Sequence, residues 1–121
     1  MKSLFYNPNR AFRIDAPKML LLLLKYGTFT VDVTFISHEL NEFNVVIDMG
    51  EALRITKEVL SKLNYKNLDE LPQFKNQLTT TELLATYIQK EIKKEAASVF
   101  NGTLNITLGE SHNAWAVVIE L

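Results

Sequence analysis

The chain has no cysteine, only two histidines, four glycines and three prolines. Without cysteine there is no disulfide, no thiolate metal site and no sulfur nucleophile, and thiol usage says nothing about redox compartment. The histidines, His38 and His112, stand in separate polar stretches without ligand spacing around them. A histidine-built metal site is therefore unavailable, and neither metal nor cofactor is expected. An excess of one charge is missing too: thirteen basic residues face fourteen acidic ones, for a formal net charge of -1. Nothing in that balance steers a polyanion, so no nucleic-acid partner is expected. Long hydrophobic runs are also lacking. Met19 to Leu24 is apolar but is closed by Lys25, whereas a membrane helix needs about 20 apolar residues and the core of an export signal about 7 to 15. Arg10, Arg13 and Lys18 precede the run, but Asp15 interrupts them and no small-residue cleavage pattern follows. No membrane contact and a cytoplasmic location are expected. Gly-rich phosphate loops, Gly-x-Ser-x-Gly and basic-aromatic stripes are likewise missing.

What is present suits a single domain over residues 1–121, with 47% hydrophobic residues available for its core. The clearest strand covers Thr28 to Ser37, where Phe29, Val31, Val33 and Phe35 alternate with Thr30, Asp32 and Thr34. Upstream, Ser3 to Asp15 fits an interrupted strand, broken at Asn7-Pro8-Asn9. Asp48 caps a helix that runs to about Asn64, with Glu51 in its first turn and Met49, Ala52, Leu53, Thr56, Leu60 and Leu63 at helical spacing. Thr79-Thr80-Thr81-Glu82 has capping-box spacing with Thr79 as the cap. The second helix then buries Leu84, Ile88, Ile92 and Ala96, while Lys90, Glu91, Lys93, Lys94 and Glu95 form a solvated face. Asn101-Gly102 signals a turn, and alternation resumes over Thr103 to Leu108 and Trp115 to Leu121. The expected fold is α+β: a four-stranded antiparallel sheet in the order ββααββ, with two helices on one face. Its free edges invite closure by an oligomer.

Glu110 follows its strand in phase with Leu104, Ile106 and Leu108. Alternation therefore aims a carboxylate at the core-facing side, where it could accept paired N–H donors from a guanine- or pterin-like edge. The other reading bends it out to water or onto the turn from Ser111 to Asn113.

Several phrases, in order, resemble the 6-pyruvoyltetrahydropterin synthase and 6-carboxytetrahydropterin synthase group of the tunnelling fold. "FRIDAPKML" resembles Phe-x-x-x-Ala-x-His-x-Leu, "YGTFTVDV" stands where His-Gly-His-x-x-x-Val-x-Val is usual, and "NVVIDMGEAL" resembles Gly-Met-Val-x-Asp-Phe-x-x-Leu. "LNYKNLDEL" falls on Leu-Asp-His-x-x-Leu-Asn, "TTTELLATYI" on Pro-Thr-x-Glu-x-Leu-Ala-x-x-Ile, and "LGESHNAWAVV" on the terminal strand pair carrying Glu-Thr. The resemblance implies a barrel-forming homotrimer or homohexamer with its ring site between subunits.

In that group three histidines hold a catalytic zinc; here Lys18, Tyr26 and Thr28 take their places. A lysine ammonium and two hydroxyls make a poor zinc set. The group's cysteine base has no counterpart, its loop having shrunk to the leucine run, and its Asp-His pair falls on Asn64 and Tyr65. The positions that the resemblance makes catalytic are thus Lys18, Tyr26 and Tyr65. Those that it makes ligand-binding are Glu110, which matches the pterin-anchoring glutamate, and Thr80 and Thr81 beside it. Two functions follow as expectations. One is binding of a pterin- or purine-like heterocycle through Glu110, with zinc chemistry lost or replaced by metal-free acid/base work at Lys18 and Tyr26. The other is an inactive oligomeric scaffold or regulatory subunit, whose vacated site is closed by Leu20 to Leu24.

Overall fold

The computed structural model describes residues 6–110 and 114–120. Its sheet contains β1 (Phe12–Asp15), β2 (Met19–Leu23), β3 (Gly27–Ser37), β4 (Thr103–Glu110) and β5 (Ala114–Val118). Two helices, α1 (Met49–Ser61) and α2 (Thr81–Glu95), lie between β3 and β4 in the chain. Every strand pairing is antiparallel, in the order β1-β3-β4-β5, with β2 also on β3. The α+β class and the two helices agree with the sequence reading. The strand count does not: five strands are formed where four were expected, because the leucine run is itself a strand and not a shortened loop.

β1 and β2 lie end to end along one edge of β3. Asp15 pairs with Thr34 and Met19 with Val31, so three residues on this edge face two on β3. That extra residue is a bulge, placed at Pro17, which has no N–H to give to a ladder. The bulge shifts the alternation by one. Ile14 and Ala16 point to the core side before it, and Leu21 and Leu23 after it, both fully buried. Leu20 is left exposed on the other face. Residues 1–5, which hold the start of the expected first strand, lie outside the described residues, and Tyr6 to Ala11 form no strand.

The β2–β3 turn needs two left-handed residues, Lys25 (φ 77°) and Gly27 (φ 98°). Glycine takes that conformation without the strain a Cβ would bring. Gly102 is required for a different reason: a Cβ there would stand 2.0 Å from the Ile36 carbonyl oxygen, where the chain enters β4 against β3.

Helix α1 begins as its sequence suggests, with the Asp48 side chain accepting from the Glu51 N–H at 3.0 Å. Helix α2 does not. Its cap is Thr80, whose hydroxyl accepts from the Leu83 N–H at 3.1 Å, and not Thr79. Three consecutive threonines offer equivalent local patterns, and packing of Leu84, Ala85, Ile88 and Ile92 against β4 and β5 selects the register. The charged face of α2 is not wholly solvated either. Lys93 bonds Glu120, whose second oxygen accepts from the buried Leu104 N–H at 2.8 Å, fastening the end of the chain to β4. Among the described residues, no helix is long and apolar enough to cross a membrane.

Candidate functional site

The residues that build the site converge at one corner of the sheet. After α1 the chain runs beside β2: Asn64 Oδ1 accepts from the Leu22 N–H at 2.9 Å, the Tyr65 N–H donates to the Leu22 carbonyl at 2.7 Å, and the Leu24 N–H to Lys66 at 3.0 Å. This covers an edge that would otherwise be open. A 3-10 turn, Leu68–Glu70, follows, capped by Asn67, whose side chain accepts from the Asp69 N–H at 3.0 Å. Leu68 is fully buried beneath it, which sets Asp69 over the β2–β3 turn.

There Asp69 takes two donors, Lys25 Nζ on Oδ2 and the Tyr26 hydroxyl on Oδ1, each at 2.6 Å. The bond from Lys25, then that from Tyr26, holds the Asp69 carboxyl below its ordinary 3.8. The same bond to Asp69, with partial burial, raises the Tyr26 phenol above 10.0, against an opposing pull from Thr79 and Lys25. Lys25 is raised from 10.5 by Asp69. The signs define a window. A lowered acid stabilises the fold above its unfolded value and ceases to as pH falls through the folded one; a raised base or phenol stabilises below its unfolded value and ceases to as pH rises through the folded one. The cluster is therefore intact from below 3.8 to above 10.0, and its contribution to stability is full between those two values. A pH series of nuclear magnetic resonance spectra is expected to show Lys25 and Tyr26 side-chain shifts flat across that span and moving together outside it.

Beside this cluster opens a cavity of about 330 Å3, lined by Tyr26, Phe29 and Leu68, by Thr79 to Glu82 and Leu84, and by Glu110. Glu110 is the last residue of β4 and pairs with Phe29. Directly opposed residues share a face, so the carboxylate stands on the helix-covered side. This settles its direction as the alternation suggests; the turn at residues 111–113, the other expected destination, lies outside the described residues, as does His112. Glu110 is half-buried, and among the described residues its one hydrogen bond is a long one, 3.5 Å from the Thr81 hydroxyl. Among the described residues it forms no ion pair.

Of the residues singled out in the sequence, Tyr26, Thr80, Thr81 and Glu110 meet at this cavity. Lys18 and Tyr65 do not. The spacing of Phe12, Ala16 and Lys18 alone would keep all three on one face, but the bulge at Pro17 turns Lys18 to the far side of the sheet. There its ammonium lies 3.7 Å from Asp32. Tyr65 is exposed, with a left-handed backbone (φ 62°) and its N–H spent on Leu22. Thr28 pairs with Leu22, four residues along β3 from the Asp32 position. The three positions that correspond to zinc histidines in the resemblance thus do not converge. The Tyr26 phenol is also held protonated by Asp69, which disfavours the phenolate a metal would need. These donors do not fit a zinc ion. Among the described residues no group of three histidine, aspartate or glutamate side chains is placed to hold a metal. His38 is exposed, with Nδ1 2.8 Å from the Arg10 carbonyl.

Sequence reasoning missed Lys25 and Asp69. They are 44 residues apart and belong to no local pattern; the only trace is the Asx-type start at Asn67, which marks a turn without saying what it faces.

An antiparallel sheet with helices on one face and a cavity between the end of β4 and the start of α2 defines an α+β architecture. Residues 27–120 match the family model described as 6-pyruvoyl tetrahydropterin synthase, and the chain belongs to that family. Among solved structures it is similar to the Caenorhabditis elegans 6-pyruvoyl tetrahydropterin synthase, with a TM-score of 0.65, 18% identity and 93% of each chain covered. It is also similar to the Plasmodium falciparum enzyme (TM-score 0.64, 14% identity, 92% of this chain and 97% of that one). The Plasmodium vivax enzyme gives 0.63, 13% and the same coverage. No curated protein matches. At these identities the structural likeness establishes the fold.

Proposed function

We propose that the chain binds a flat, nitrogen-rich bicyclic ring, of pterin or purine type, in the cavity at the end of β4. The observation that carries this reading is Glu110: a half-buried carboxylate lining an open cavity, with no ion pair and one long contact among the described residues. Its free acceptor capacity suits adjacent N–H groups on a ring edge, and charge-assisted bonds of this kind are stronger than neutral ones. Thr80 and Thr81 lie beside it at the start of α2. A cavity of about 330 Å3 is at the small end of ligand sites, which begin at roughly 300 Å3. Phe29, Leu68 and Leu84 supply apolar surface for a ring.

Acid/base work through Lys18 has no support from its position on the other sheet face; Tyr26, at the cavity, is the member of that set which a ring would meet. The scaffold reading requires leucines to close the site. Leu21 and Leu23 lie in the core instead, and none of Leu20 to Leu24 lines the cavity. Assembly as a homotrimer or homohexamer belongs to the same proposal, supported by Leu20, Val117 and Ile119 standing exposed at the two sides of the sheet. Calorimetric titration with pterin and guanine is the test, with sedimentation of the same sample. Saturable binding to an oligomer is expected; no binding of either ring at millimolar concentration, or a monomer, would overturn the corresponding part.

A further inference from the structure

At the opposite end of β4 from Glu110, the chain enters the strand through Asn101 and Gly102, its one Asn-Gly step. Both sides of that step are anchored. Phe100 is buried, with its ring against Phe35 and its N–H on the Ala96 carbonyl at 2.8 Å, and Leu104 is fully buried. Asn101 itself is exposed, and among the described residues neither its side-chain amide nor the Gly102 N–H forms a hydrogen bond. Other asparagines differ. Oδ1 of Asn7, Asn41, Asn64, Asn67 and Asn105 each accepts a backbone N–H. Asn9, Asn44 and Asn76 carry no such bond but precede Arg10, Val45 and Gln77, whose side chains crowd the backbone nitrogen as glycine does not.

We propose that Asn101 is a self-modification site, attacked in the folded protein by the nitrogen of Gly102. The Gly102 nitrogen gives its proton to solvent base and bonds to Asn101 Cγ; the Cγ–Nδ2 bond breaks, and ammonia leaves after taking up a proton. Water then opens the resulting five-membered imide at either carbonyl, giving aspartate or isoaspartate. One water is consumed, one ammonia is released, and nothing is oxidised or reduced. The two products differ in what they do to the fold. Isoaspartate carries the main chain through its side chain and lengthens it by a methylene just before Gly102. No slack exists there: a Cβ on Gly102 would stand 2.0 Å from the Ile36 carbonyl oxygen and 2.8 Å from the Phe100 ring. The added length therefore displaces Thr103 from its pairing with Ile36. Aspartate keeps the backbone and only adds a carboxylate to the wall, already holding Glu39, that is shared by cavities of about 180 and 300 Å3.

The purified protein, held folded at neutral pH and physiological temperature, is expected to gain a more acidic form whose mass has risen by the replacement of an amide with an acid. The tryptic fragment after Lys94 holds Asn101, Asn105 and Asn113, and its fragment ions are expected to place the change at Asn101. Asn101→Gln, which would have to close a larger ring, is expected to lose the acidic form. A change that appears only when the chain is held in denaturant overturns the inference, because the fold then protects the step. So does a change placed at another asparagine and still present in Asn101→Gln. Asn101→Asp, the aspartate product made directly, is expected to melt within roughly 3 °C of the unmodified protein, with the chromatographically separated isoaspartate form melting below both. Equal melting of the two products would overturn the strain assigned to the entry into β4.

Discussion

Glu110→Ala is expected to weaken pterin binding on the order of 100-fold while moving the melting temperature by no more than roughly 3 °C. The two effects separate because of what the carboxylate touches. Within the chain it has the 3.5 Å contact from Thr81 and no cation among the described residues, so the fold loses little with it. Substitutions away from such partners stay within about 0.5 kcal/mol, and 1 kcal/mol corresponds to roughly 4–8 °C in a small domain. Towards a ring it would be the charged acceptor for adjacent N–H donors, each bond worth about 1.5–3 kcal/mol. Losing roughly 3 kcal/mol is about two decades in affinity. Glu110→Gln should fall between, because the amide keeps one acceptor oxygen and turns an N–H against a ring N–H. Calorimetry and thermal melting of the three proteins check this. Full affinity in Glu110→Ala would place the ring elsewhere.

Most of the fold was readable because its signals are local. β3 alternates cleanly, α1 has an acidic cap, and α2 repeats apolar residues at intervals of four. The places where reading failed have physical causes. Met19 to Leu24 is apolar at every position, so the run carries no period from which to assign a face, and only its ladder with β3 reveals that Leu21 and Leu23 go in. Pro17 shifts the phase of the same edge. Alternation alone would keep Phe12, Ala16 and Lys18 on one face, and the extra residue at Pro17 is what puts the lysine on the other.

The site divides in the same way. Glu110 lies at the end of an unbroken alternation, so its direction was legible, and the threonines before α2 sit at a recognisable helix start. Tyr26 was singled out from a matched phrase. Its partner Asp69 arrives through the path of residues 64–66 along β2, which is set by long-range backbone bonds. Family membership contributes the fold and a prior for the ring. The Lys25–Asp69–Tyr26 cluster and the position of Lys18 against Asp32 are brought out only by the geometry.

Phe35→Ala is expected to be the opposite of Glu110→Ala, costing stability and sparing the site. Phe35 is fully buried in the central strand, opposite Ile14 on one side and Leu104 on the other. Its ring meets Phe100 edge to face, with centroids 5.1 Å apart and planes at 88°. Truncating such a ring costs about 3–5 kcal/mol in transfer and cavity terms, against a total stability of roughly 5–15 kcal/mol. A fall in melting temperature of roughly 10–20 °C follows, while Phe35→Leu, closer in volume, should lose less than half of that. Phe35 is six residues along β3 from Phe29, the wall of the cavity, which at about 3.3 Å per residue is roughly 20 Å. Below its new melting point the variant should bind the ring with the affinity of the unsubstituted protein. Loss of affinity in the folded variant would mean that the cavity is shaped by the far end of the core, and the site could then not be treated as a local construction of the β2–β3 turn, the 3-10 turn and the start of α2.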